Sequence, residues 1–250
     1  MQPTRKLLEA KGLGKRFDTT VALDGLDLEV AEGEVVCLLG ANGAGKTTTI
    51  NLFLGFLTPD AGSAIVDGID VAESPFEARK RLAYLPESVA LYPKLTGLEN
   101  IEFFDKLAGA ERGAADLAAL LSDAGLPEEA HNRRTATYSK GMRQKVGIAI
   151  AMARQARALL LDEPLSGLDP SAANGLGKLI GGLRDDGCAV LMATHDIFRA
   201  KEIGNRIGIM MRGKLVNVLD ADSLDAREIE QVYLAHLQEA GDGPTEEQAA

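Results

Sequence analysis

The segment Gly40-Ala41-Asn42-Gly43-Ala44-Gly45-Lys46-Thr47 constrains this chain more than any other stretch. It fits the pattern G-x-x-x-x-G-K-[ST], follows the apolar run EVVCLL and precedes a helix-compatible stretch. Such a loop works at a strand-to-helix turn. Its glycines let successive backbone N–H groups turn inward around phosphate oxygens, and the following helix aims its positive end at the same point. Phosphate contact is therefore expected from Gly40, Ala41, Asn42, Gly43, Ala44, Gly45 and the adjoining Thr48. The Lys46 ammonium is expected on the β/γ-phosphates and the Thr47 hydroxyl on Mg²⁺.

The surrounding pattern is α/β. LLEA, VALDGLDLEV and AIVDG (64–68) read as short strands in the first third. ALLLDEP (158–164), CAVLMATHD (188–196), RIGIMMRG (206–213) and KLVNVLD (214–220) read as strands further on. Near-continuous apolar strands interleaved with helices indicate a mostly parallel sheet covered on both faces. Ser74-Pro75-Phe76-Glu77 and Thr96-Gly97-Leu98-Glu99 each read as a capping box, the second opening a helix through Lys106. An Ala-rich helix is expected from Ala114 to Ala124, ending at Gly125. The span of about 88–153 therefore reads as a helical subdomain inserted into one domain covering 1–222. Ile229, Val232, Tyr233 and Leu237 recur at helical spacing, so a C-terminal helix is expected over 223–237, with a disordered acidic tail over 238–250.

Composition narrows the function. The 250 residues carry 37 acidic against 27 basic side chains, a formal charge of −10. That balance excludes a nucleic-acid-coating protein, which needs a net basic face. Arg79-Lys80-Arg81 and Arg133-Arg134 accordingly read as solvated surface charge, and Phe103 and Phe104 as packing residues. Two cysteines in apolar runs, Cys37 and Cys188, exclude a zinc or disulfide framework and suit reduced core thiols in a cytosolic protein. The N-terminus has no signal-peptide pattern and no apolar run approaches bilayer length, so any membrane role is expected to come through another polypeptide.

Leu159-Leu160-Leu161-Asp162-Glu163 is an apolar strand ending in two carboxylates. Alone, such a pair reads as strand-end charge facing water. Beside a phosphate loop, Asp162 suits Mg²⁺ held through water, and Glu163 suits orienting or deprotonating an attacking water. His195 ends the apolar run AVLMATHD, on the rim where α/β sheets bind ligands, so a γ-phosphate contact is expected of it.

The order of these pieces carries more information than any one of them. Phe17 follows Lys15-Arg16. After the phosphate loop come Tyr84-Leu85-Pro86-Glu87, Tyr138-Ser139-Lys140-Gly141-Met142-Arg143-Gln144, Leu161-Asp162-Glu163-Pro164, Ser166-Gly167-Leu168-Asp169 and His195. Over about residues 5–220 the chain resembles the nucleotide-binding subunit of ATP-binding-cassette (ABC) transporters. The resemblance implies a P-loop core with a mostly parallel sheet, an N-terminal antiparallel β region and the inserted helices, with ATP and Mg²⁺ as ligands. It puts Phe17 on the adenine, and Glu87 where the family usually has a glutamine touching Mg²⁺ and the attacking water. Catalytic roles then fall to Glu163, His195 and Glu87, and metal contact to Thr47, Asp162 and Glu87. Ser139, Lys140, Gly141 and Met142 look like the signature segment that grips the γ-phosphate bound by the opposite subunit. Asp169 looks like the aspartate that communicates across the dimer.

The chain departs from that family's pattern in three places. The usual L-S-G-G-Q signature is Tyr138-Ser139-Lys140-Gly141-Met142, and the loop glutamine is Glu87. Together YLPE and YSKGMRQ resemble the exporter-like ABC-2 branch, which includes copper-processing, gliding-motility, antibiotic-export and sodium-export ATPases. Third, Gly175, Gly177, Gly181 and Gly182 follow Asp169-Pro170, and four glycines weaken a helix by roughly 3–4 kcal/mol against alanine. The implied partners are a second ATPase subunit, forming a homodimer, and separate membrane permease subunits, which would hold the chain at the inner face of the cell membrane. No nucleic-acid partner is expected. The alternative is a soluble non-transport ABC ATPase acting on ribosomes or DNA; such proteins usually carry two cassettes, a coiled-coil insert or zinc fingers. A P-loop GTPase is disfavoured, because no N-K-x-D motif occurs.

Overall fold

Two sheets organise the protein in a computed structural model, which describes residues 5–241. β1 (Lys6–Phe17) and β2 (Thr20–Ala31) form a long antiparallel hairpin. β3 (Val35–Leu39) then runs through the glycine-rich loop into α1 (Lys46–Phe53). β4 (Ala61–Val66) and β5 (Ile69–Asp70) follow, turned by Asp67 and Gly68, both at positive φ. Next come α2 (Pro75–Lys80) and β6 (Leu82–Leu85). The chain then leaves the sheets for α3 (Gly97–Leu107), α4 (Ala114–Asp123), α5 (Glu128–His131) and α6 (Lys140–Ala153). It returns as β7 (Ala158–Asp162), α7 (Pro170–Asp185), β8 (Ala189–Thr194) and α8 (Ile197–Ile203). β9 (Arg206–Met211), β10 (Lys214–Asp220) and α9 (Ala226–Gly241) complete the order.

One sheet has the order β2-β1-β4-β5 and is antiparallel throughout. The other runs β10-β9-β3-β8-β7-β6 and is parallel except for the edge pair β10–β9. The expected α/β core and N-terminal antiparallel region are both present. Every residue of β3, β7 and β8 is buried, the outcome for apolar strands covered on both faces. Their period of two divides them between two cores. Val35, Cys37, Leu39, Leu159, Leu161, Val190 and Met192 join a core built with Leu121, Ile148 and Ile180 of the helices. Val36, Leu38, Leu160 and Leu191 join Leu8, Leu13, Ile50 and Phe53 on the opposite face. Register then lines up the functional ends. Leu39 pairs with Thr194, Asp162 with Ala193, and Leu85 with Leu161, so Gly40, His195, Glu163 and the loop carrying Glu87 leave the sheet at one edge.

Local signals behaved unequally. At Thr96 the box forms in full: its hydroxyl accepts from the Glu99 amide at 3.1 Å, and Glu99 accepts from the Thr96 amide at 2.7 Å. At Ser74 it does not form, although Pro75 does open the helix. Ser74 sits at ψ 62 rather than in the extended conformation of Thr96 (ψ 172), its side chain caps nothing, and Glu77 pairs with Lys80 instead. Cys37 lies in the core as expected, whereas Cys188 is half-buried. Burial still pushes both thiols up, to about 12 and about 11. α9 continues past Leu237 to Gly241, so the start of the expected tail is helical; residues 242–250 lie outside the described residues. Helix α7 is unbroken despite its glycines. A Cβ on Gly177 would stand 3.2 Å from Ile203, which explains that glycine by the approach of α8. Nothing in the structure explains Gly175, Gly181 and Gly182, which face open space.

Candidate nucleotide site

The phosphate loop is shaped by its neighbours as well as by its own sequence. A Cβ on Gly40 would meet the Met210 carbonyl at 2.5 Å, and one on Gly45 the Ala22 carbonyl at 2.7 Å. Gly45 also sits at φ +107, a conformation that side chains resist. It starts α1 with no side-chain cap, so the leading N–H groups of that helix remain available to an anion. Lys46 curls back over the loop, and its Nζ donates to the carbonyls of Gly40 (2.6 Å) and Ala41 (3.1 Å). The ammonium is buried, which lowers its pKa; the nearby Glu163 and Asp162 charges oppose that shift.

The two strand-end carboxylates occupy different surroundings. Asp162 is buried, which raises its pKa, and it accepts from the Thr47 hydroxyl at 3.3 Å. Glu163 turns off the strand at φ +48, unusual for a residue with a side chain, while its amide donates to the Ala193 carbonyl. Its Oε2 stands 3.0 Å from His195 Nδ1. Its Oε1 is buried without a hydrogen-bond partner, 3.8 Å from Lys46 Nζ. A buried carboxylate oxygen that faces a lysine but accepts no hydrogen bond is a group prepared for something more.

Among the described residues, no three or more His, Cys, Asp or Glu side chains converge as a metal cage. Mg²⁺ does not require one, because it is commonly held by one or two protein oxygens with phosphates and waters. The adjacent Thr47 hydroxyl and Asp162 carboxylate are hard oxygen donors of that kind, and the orphan Glu163 oxygen adds negative charge nearby. These residues fit the ion.

Glu87 is placed differently from the expectation of metal contact. Its side chain is 58% exposed, and its Oε1 lies 3.6 Å from Lys140 Nζ. Its carbonyl accepts from the buried Gln144 amide at 3.0 Å. Its charge still reaches Asp162, where it opposes ionisation. Phe17 ends β1 and is 43% exposed. Lys15 Nζ lies 5.6 Å from the ring centroid and is itself held by the Thr58 carbonyl and Asp60. The Lys15–Asp60 anchor went unread in the sequence, where its only signal was a Lys two residues before the aromatic.

The signature-like segment lies apart. Ser139 is exposed and caps α6, its hydroxyl accepting from the Met142 amide at 3.2 Å. Gly141 is buried where a Cβ would come within 3.1 Å of Ala172 on α7. Among the described residues, no hydrogen bond or ion pair joins 139–142 to the loop 40–48. Asp169 caps α7 by accepting from the Ala172 amide, and His195 is 59% exposed.

A phosphate loop between β3 and α1, with Thr47, Asp162 and Glu163 gathered at the same edge of a parallel sheet, defines a P-loop nucleoside-triphosphate-binding protein. Residues 23–166 match the family model described as ABC transporter, more than half of the 250 residues. The chain belongs to the ABC transporter family. It is 38% identical over 217 residues to the daunorubicin/doxorubicin resistance ATP-binding protein DrrA of Streptomyces peucetius, a match covering 86% of this chain and 65% of that protein. It is 31% identical over 214 residues to the linearmycin resistance ATP-binding protein LnrL of Bacillus subtilis, covering 85% and 68%. An ATP-binding cassette solved as a post-hydrolysis dimer bound to ADP and Pi superposes with a TM-score of 0.78 at 28% identity, over 86% of this chain and 99% of that one.

Proposed function

We propose that this chain binds and hydrolyses ATP, and that two copies pair head to tail to drive a membrane exporter of the ABC-2 branch. The observation carrying the chemistry is the Lys46–Glu163–His195 cluster, with one Glu163 oxygen on His195 and the other facing Lys46 without a hydrogen bond. Backbone N–H groups from Gly43 to Thr48 bind the phosphates, and Lys46 exchanges its two carbonyl partners for β/γ-oxygens. Thr47 and Asp162 hold Mg²⁺, whose chemistry is to neutralise phosphate charge and favour attack at the γ-phosphorus. Glu163 orients the attacking water and accepts its proton; His195 fixes the Glu163 carboxylate and faces the γ-phosphate from the rim. Phe17 offers its exposed ring to the adenine.

Pairing follows from what the segment 139–142 lacks. Ser139 opens a helix with its hydroxyl exposed and no contact to its own loop, so its natural phosphate lies in another subunit. The post-hydrolysis dimer supports this reading, and the two antibiotic-resistance relatives support export. No helix among the described residues is long and apolar enough to cross a membrane. The chain offers a groove of about 500 Å³ with Phe76 and Leu107 exposed beside Arg79, Lys80, Arg112 and Arg154, suited to an apolar, acidic segment of a membrane partner.

Glu163→Gln tests the chemistry. The amide cannot accept the proton, so turnover is expected to fall about 10²–10⁴-fold while ATP still binds. Light scattering should then show an ATP-trapped dimer. Wild-type turnover in that variant would remove Glu163 from the mechanism. Co-purification with an integral membrane polypeptide from native cells checks the transport half.

A further inference from the structure

Lys140 and Glu87 are among the residues at which this chain departs from its family's signature and loop patterns, and the fold brings them together at 3.6 Å. Their surroundings make the pair a junction. A Cβ on Gly167 would stand 3.7 Å from Lys140 Nζ, so the same ammonium faces the loop between Glu163 and Asp169. The backbone at Glu87 is held independently, because Gln144, only 1% exposed, donates its amide to the Glu87 carbonyl at 3.0 Å.

Magnitudes suit exchange rather than support. The Lys140 side chain is 32% exposed and that of Glu87 58% exposed, and pairs open to solvent contribute roughly 0–1 kcal/mol. Lys140 is also the first residue of α6, where the positive end of the helix dipole disfavours a cation. Glu87 offsets that repulsion until a stronger anion arrives.

From these contacts we propose that Glu87 and Lys140 form an exchangeable latch, joined in the nucleotide-free chain and parted when a metal-bound triphosphate occupies the phosphate loop. Glu87 then turns toward the Thr47–Asp162 pair, and Lys140 is released at the start of α6 beside Ser139. Because Gln144 keeps the backbone in place, the exchange is a side-chain movement. The latch links occupancy of one subunit's loop to readiness of the segment that meets the other subunit. It rests on the ATP reading above, and it assigns Lys140 and Glu87 one shared role.

Carbodiimide coupling joins a carboxylate to an amine in direct contact, and peptide mass spectrometry reads the product. In the Glu163→Gln chain without nucleotide, the Glu87–Lys140 product is expected. With Mg²⁺ and ATP it should fall at least about fivefold, while the surface pairs Glu77–Lys80 (2.6 Å) and Glu102–Lys106 (2.5 Å) hold constant as references. Retained ATP is measured on the same sample. An unchanged yield on loaded protein overturns the latch and leaves the ATP reading standing; failure to retain ATP overturns both. A second measurement uses the Mg²⁺ concentration for half-maximal ATP retention. Glu87→Gln should shift it by different amounts in the wild-type and Lys140→Gln backgrounds, because only in the wild type does the substitution also remove the contact with Lys140. Equal shifts in both backgrounds overturn the proposal.

Discussion

The start of α1 and the start of α6 are both helix N-termini, yet only the first is enclosed by the rest of the chain. At α1, Lys46 is buried over two loop carbonyls, β2 and β9 press against the glycines, and Asp162 and Glu163 close the rim. At α6, Ser139 is exposed and its hydroxyl bonds its own helix, while Lys140 leans on a half-free glutamate. The difference teaches that one chain holds two unlike halves, one finished and one unfinished. The finished half carries buried charge and close backbone contact; the unfinished half carries exposed, lightly held groups.

The largest expected effect breaks the finished half. Gly45→Ala forces a side chain at φ +107 into the Ala22 carbonyl, so β2 and the loop must separate. Nucleotide affinity of the monomer is expected to fall by more than about 100-fold, since the loop amides lose their shared focus. Titration with a fluorescent ATP analogue reads it, and near-normal affinity would mean the loop does not depend on that contact.

Ser139→Arg attacks the unfinished half and sharpens the contrast. Monomer affinity for ATP should stay within about twofold, because nothing joins this segment to its own phosphate loop. ATP-induced pairing should disappear in light scattering. Loss of ATP binding by the monomer would place the segment in cis and dissolve the distinction between the halves.

The smallest effect concerns α7, the helix against which Gly141 packs. Gly175→Ala, Gly181→Ala and Gly182→Ala point into open space and should each stabilise by about 0.5–1 kcal/mol. Together they should raise the melting temperature by several degrees, since about 1 kcal/mol is worth roughly 2–4 °C at this size. Gly177→Ala should gain less, because Ile203 stands 3.2 Å from the added carbon. A triple variant that melts lower than the wild type would show that these glycines serve packing after all.

Signals confined to one stretch of chain were legible. The phosphate loop, the Thr96–Glu99 box, the Gly125 helix end and the fully apolar strands all act through neighbours within a few residues, and all formed. Ser74-Pro75-Phe76-Glu77 shows the limit of such reading. Its residue types allow a box, but the backbone arriving from β5 sets Ser74 in a conformation that leaves its hydroxyl without a role as a cap.

By itself the sequence determined that this is an α/β phosphate-binding protein, with the residues of its loop, its two strand-end carboxylates and its signature-like segment. Those properties follow from local spacing and the chemistry of each side chain. Only the tertiary structure decided that Gly40 and Gly45 are required by Met210 and Ala22, that Glu163 divides its oxygens between His195 and Lys46, and that Glu87 meets Lys140. Each of those contacts joins residues remote in the chain. Sheet register and helix packing set their distances, and no local pattern encodes a distance between remote segments.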